Sequence, residues 1–77
     1  HQLRLHSVWL EPGAAAIGQT LAELDLDSLG CEVSAIRRRG IRAIEPAPET
    51  CLEAGDVVVV LGDPEAVAAA EHRLLQK

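Results

Sequence analysis

Apolar positions in this chain recur at a spacing of two in some stretches and at helical spacing in others. Gly, Pro and Asp punctuate the changes. From Leu3 to Leu10 the alternation puts Leu3, Leu5, Ser7 and Trp9 on one face, which predicts a first strand. Glu11-Pro12-Gly13 ends it, because Pro12 lacks an amide donor and Gly13 can turn left-handed. After a connector over Ala14 to Gly18, Thr20-Leu21-Ala22-Glu23 has the form of a capping box. It predicts a helix of about two turns with Leu21 and Leu24 on one side, closed by Asp25 and Asp27 with its exit at Leu29-Gly30.

Cys31 to Arg38 reads as the second strand and Ile41 to Glu45 as the third, joined around Arg39-Gly40, where Gly40 supplies a positive φ. Pro46 and Pro48 end the third strand in an extended loop. Leu52 is placed to plug the core below an Ala54-Gly55-Asp56 turn. Val57 to Leu61, apolar at every position, predicts a central strand buried on both faces. Gly62-Asp63-Pro64-Glu65 opens a helix, with Asp63 as cap and Pro64 at the first helical position. That helix runs to about Leu75 with Val67, Ala70 and Leu74 as its apolar stripe. The expected fold is a small α+β domain of order β-α-β-β-β-α, a four-stranded sheet with two helices.

Composition changes this picture in one respect. With 77 residues the chain makes one domain, 1–77, of a size that buries only about 60% of its unfolded surface. Phe, Tyr and Met are absent and Trp9 is the only aromatic residue, so the core is aliphatic. Small side chains bury little area each, at roughly 25 cal/mol per Å². Such a unit is expected to be too thin to keep its apolar side dry, and to pair with a second copy of itself. Trp9 fits either side of that division, as an exposed interface anchor or as the largest piece of the core. The lack of Met predicts a piece of a larger protein.

The net charge of −5 argues against nucleic acid and against an anionic membrane surface. No apolar run is long enough to insert into a bilayer. Cys31 and Cys51 lack paired spacing and are expected to be free thiols in a reducing compartment.

Several motifs stand together in register: Gly18-Gln19-Thr20-Leu21-Ala22-Glu23-Leu24, Ala35-Ile36-Arg37-Arg38-Arg39-Gly40, Pro46, Leu52-Glu53-Ala54-Gly55-Asp56, and Val57 to Gly62. In order and spacing they resemble the RCK C-terminal, or TrkA-C, domain of potassium and cation transport regulators and antiporters. The resemblance covers nearly the whole chain. It implies a cytoplasmic regulatory module held at the inner face of the membrane by a parent transporter or its gating subunit. It also implies homodimers, and as further partners an RCK N-terminal nucleotide-binding domain or the membrane domain itself. The Gly-x-Gly-x-x-Gly phosphate loop of that N-terminal partner is absent here, so no cofactor is expected. Some members bind cyclic di-adenylate between protomers. Asp25, Asp27 and Glu32 around the helix exit and second strand would repel such a dianion.

Among chemistry-bearing residues, Arg37, Arg38, Arg39 and Arg42 concentrate much of the basic charge of an acidic chain and are the candidate contacts for a small anionic effector. Alternation sends Arg37 and Arg38 to opposite faces of their strand, and solvated arginines beside surplus carboxylates are the plainer reading. His1, His6 and His72 have no metal-ligand spacing. Ser7, Thr20, Ser28, Ser34 and Thr50 lack a nucleophile's context, and the carboxylates sit where turns and helix starts place them. The expectation is a binding module or a purely structural assembly element, with a small enzyme third.

Overall fold

The computed structural model describes residues 2–39 and 41–76. Its elements are β1 (Arg4–Trp9), α1 (Leu21–Leu24), a 3-10 turn (Leu26–Leu29), β2 (Glu32–Arg38), β3 (Arg42–Ile44), β4 (Val57–Gly62) and α2 (Pro64–Leu75). The strands form one antiparallel sheet in the order β1-β4-β2-β3. The all-aliphatic β4 thus sits between β1 and β2, as its composition predicts. Gly40, expected to carry the positive φ of the β2–β3 connection, lies outside the described residues. Its neighbour Arg39 has φ 56°.

The capping box forms as read: the Glu23 amide donates to Thr20 Oγ1 at 3.2 Å, and the Thr20 amide donates to Glu23 Oε1 at 2.8 Å. The helix it starts is a single turn, shorter than expected. Asp25 turns left-handed (φ 50°, ψ 52°) directly after Leu24, a conformation that Asp tolerates better than most residues. The chain then resumes as the 3-10 turn. The Cys31 amide donates back to the Leu26 carbonyl at 3.2 Å, so β2 begins at Glu32 instead of Cys31. Arg73, in the last turn of α2, donates to the carbonyls of Leu24 (2.9 Å) and Asp25 (3.2 Å). The Asp25 oxygen also accepts from the Ser28 amide (3.2 Å) and hydroxyl (2.7 Å), so Arg73 adds a tie between the end of this short helix and α2.

α2 starts as its sequence dictates, with Asp63 accepting from the Ala66 amide at 2.8 Å and Pro64 at the first position. Its buried stripe is Ala66, Ala70 and Leu74; Val67, expected there, is half-buried beside it. The shift by one position follows from a close approach at the end of β4. A Cβ on Gly62 would lie 2.9 Å from Cys31 Sγ, 3.2 Å from the Gly30 carbonyl and 3.3 Å from Ala66 Cβ. Glycine is needed at position 62 for space, and alanine at 66 lets the helix sit that low.

One long helix covers one face of the sheet. Val8, Ile36, Val58 and Val60 point toward it and are buried, together with Leu10, Leu24, Leu26 and Leu52. Val57, Val59 and Leu61 face the other way and are only half-buried, so β4 is not sealed on both faces as its composition suggests. On β1 the alternation puts Val8 inside and leaves Leu5 (65% exposed) and Trp9 (57%) on the open face. Of the two readings of Trp9, the structure gives the exposed one.

Replacing Gly62 with Ala forces Cys31 or the Gly30 backbone to move, and is expected to destabilise the domain by about 1–3 kcal/mol in chemical denaturation. Burial and the nearby Asp63 push the Cys31 thiol above its ordinary pKa, whereas Cys51 is exposed. Under native conditions iodoacetamide should therefore label Cys51, and label Cys31 only after unfolding.

Candidate functional site

The Leu52-Glu53-Ala54-Gly55-Asp56 segment explains its own composition. Leu52 is buried at 1% exposure, and Gly55 takes φ 89°, which turns the chain toward β4. The Gly55 amide donates to the Leu10 carbonyl (2.7 Å) and the Leu10 amide to the Asp56 carbonyl (2.8 Å), locking the turn to the end of β1. Asp56 is fully buried. Its Oδ2 accepts from the Glu53 amide at 2.9 Å, which closes the turn.

A buried carboxylate needs a countercharge, and Arg38 supplies it. The Arg38 guanidinium grips Asp56 with two bonds, Nε to Oδ1 and Nη2 to Oδ2, both 2.9 Å. Nη2 also donates to the Cys51 carbonyl at 3.1 Å, and Nη1 lies 3.2 Å from Glu53 Oε2. Burial alone would push the Asp56 carboxyl up. The bonds from Arg38 and from the Glu53 amide, with the charge of Arg38, outweigh it and hold the group below its ordinary value. The hydrogen bonds to Asp56 raise Arg38 in turn.

The four arginines singled out in the sequence do not converge. Arg38 is committed to the clamp. Arg37, directly opposite Val57 on β4, stands on the open face and is exposed. Arg42 pairs in register with Arg38, Arg39 sits in the β2–β3 turn, and both are exposed. The sequence reading missed the intramolecular role of Arg38. The signal for it was Asp56, a carboxylate between a turn glycine and a run of valines, where burial demands a basic partner.

A cleft of about 360 Å³ opens between α1, the start of β2 and the proline loop. Leu21, Val33, Pro46 and Pro48 wall it, and Asp25, Asp27 and Glu32 stand along it. The wall is braced by backbone bonds from the Leu21 amide to the Thr50 carbonyl (3.1 Å) and from the Ala22 amide to the Pro48 carbonyl (2.9 Å). Its charge is acidic. Among the described residues there is no cluster of His, Cys, Asp and Glu able to hold a metal, and no helix long and apolar enough to cross a membrane.

Removing Arg38 with Ala leaves a buried charge unpaired and is expected to cost about 3 kcal/mol, seen as a fall of more than about 10 °C in melting temperature. Because the folded Asp56 value lies below the unfolded one, its stabilisation is complete above the ordinary aspartate range and is lost as pH falls through the folded value. Melting curves should show the Asp56→Asn variant less stable than the parent chain at pH 7, with the difference narrowing below about pH 4.

Comparison with known proteins places this architecture. The TrkA-C domain model matches residues 5–75. A putative K(+) efflux antiporter, KefB, of Alkalimonas amylolytica is 35% identical over 77 aligned positions, which span 95% of this chain and 12% of that protein. The chain is therefore about an eighth of the length of this curated relative. Among solved structures, the GsuK channel bound to NAD superposes with a TM-score of 0.73 at 30% identity, over 92% of this chain and 13% of that one. The RCK_C domain dimer of S. agalactiae BusR in complex with c-di-AMP superposes with a TM-score of 0.71 at 23% identity, over 83% and 86% of the two chains. With its sheet order, capping box and buried Leu-x-x-Gly-Asp turn all in place, the chain belongs to the TrkA-C family of RCK C-terminal regulatory domains.

Proposed function

We propose that this chain is the dimerising regulatory domain of a potassium transporter or a cation/proton antiporter, and acts at the cytoplasmic face of the membrane through its parent protein. The observation that carries this reading is the 35% identity to the antiporter KefB over nearly the entire chain. The transport step belongs to other parts of such a parent. The contribution of this domain is mechanical: two protomers adopt alternative arrangements, and an effector or the attached nucleotide-binding domain favours one of them. An effector shifts that balance only as far as it binds the two arrangements differently.

Catalysis is not part of the proposal, since no nucleophile, base and cleft converge among the described residues. The candidate contacts for an anionic effector are Arg37, Arg39 and Arg42; Arg38 would join them only by releasing Asp56. The solved BusR dimer carries c-di-AMP. In this chain the carboxylates along the α1 cleft oppose a doubly negative ligand.

That the arginines are divided between faces favours a second reading, a structural assembly domain that binds nothing small. Thermal-shift measurements separate the two, because a ligand of the native state raises its melting temperature. With c-di-AMP the melting temperature is expected to stay unchanged, and a clear rise would overturn the electrostatic reading of the cleft. If phosphate, nucleotides and organic anions also leave it unmoved, the assembly reading stands. The regulatory role itself is tested by grafting this chain into KefB in place of the segment it matches and following K⁺ efflux. Control should be retained; efflux indistinguishable from that of a KefB lacking the segment would count against the proposal.

A further inference from the structure

The uncovered face of the sheet has an ordered pattern. Strand register sets it out in rows: Leu5, Leu61 and Glu32 at one end, Ser7, Val59 and Ala35 in the middle, and Trp9, Val57 and Arg37 at the other. The apolar centre is therefore flanked on β2 by an acid at one end and a base at the other. Their β4 partners Leu61 and Val57 each lie two positions from Val59, while on β2 a register shift between Val33 and Ala35 adds Ser34 on the Glu32 side. Neither Glu32 nor Arg37 makes an ion pair or side-chain hydrogen bond among the described residues, and both are exposed.

We infer that this face docks on the same face of a second copy, related by a two-fold axis running along the Ser7–Val59–Ala35 row. This rests on the homodimer reading above and adds to it the surface and the register. About such an axis each strand lies over its own copy with its ends exchanged. Glu32 then meets Arg37 of the second copy at both ends of β2, and Leu5 meets Trp9 at both ends of β1. The middle row, small or β-branched, meets itself and lets the sheets approach to about 10 Å.

The other in-plane axis through the centre of the patch, along β4, would carry β2 onto β1. Arg37 would then stack on Trp9, but Glu32 would be seated on Leu5 with no countercharge. Charge complementarity therefore selects the first arrangement. The footprint, about 15–20 Å on a side from strand spacing and rise, is below the ~800 Å² per partner of a standard stable complex. The association is accordingly reversible and concentration-dependent, as suits a regulatory contact.

Sedimentation equilibrium of the 77-residue chain tests this, with circular dichroism confirming that each variant folds. Every substituted side chain is exposed, so folding should be retained. Glu32→Arg and Arg37→Glu, each placing like charges at both ends of β2, are expected to weaken the dimer by about tenfold or more. The two together should restore it. Ser7→Asp, which sets a carboxylate against itself at the axis, should give monomers. Emission of Trp9, the sole tryptophan, should shift to the blue as the dimer forms. A dimer indifferent to all these changes, or single reversals that the double variant does not rescue, would overturn this face while leaving the homodimer reading intact. A chain that stays monomeric at every accessible concentration would overturn both.

Discussion

A sheet with aliphatic side chains on both faces needs cover on both, and among the described residues there is one helix of useful length. α2 closes one side, where Val8, Ile36, Val58 and Val60 are buried to 1% exposure or less. The other side is left with a tryptophan and a leucine more than half exposed. The proposed self-association follows from that imbalance. A chain without Phe, Tyr or Met cannot close the second face with a few large residues from a loop. The short helix α1 and the 3-10 turn sit at the end of the sheet and close the core there instead. A domain built this way gains stability from a partner, which makes association available as a signal.

Polar groups fix the arrangement that the aliphatic core leaves loose. Val, Leu, Ile and Ala pack in many ways, whereas a buried carboxylate has few acceptable environments. Asp56 needs the guanidinium of Arg38 and the amide of Glu53 together. Meeting that need pins the end of β2, the Gly55 turn and the start of β4 to one another. The same turn is bonded to Leu10, and the adjoining Thr50–Leu52 segment to Gly18, Gln19 and Leu21. The segments between strands are thus held by backbone bonds and one ionic clamp. This explains how long connections remain ordered in so small a domain.

Most of the architecture was legible in the sequence, because its signals are local. The Thr20–Glu23 box, the Asp63-Pro64 start, the Leu52 plug and the aliphatic β4 each occupy a few consecutive residues and act as read. What was not legible depended on distant partners. The length of α1 is set at Asp25, whose left-handed turn is supported by Arg73 from the other end of the chain. The stripe of α2 is set by how closely Gly62 lets it approach, which periodicity within the helix does not reveal. A strand apolar at every position reports that it is central, but not whether both of its faces are covered.

The arginines show most directly where residue type stops being informative. Arg37 and Arg38 are adjacent and chemically identical, and sequence composition groups them as one basic patch. The two-residue period of a strand separates them: Arg38 turns inward to a carboxylate with no access to water, and Arg37 turns outward beside Val57. Arg38 binds its anion within the chain, in a site already complete. Arg37 keeps its charge at the edge of an apolar face, where no carboxylate among the described residues pairs with it. Net charge and local density are the same for both. The difference between a residue committed inside the fold and one left exposed lies in which side of the sheet α2 covers.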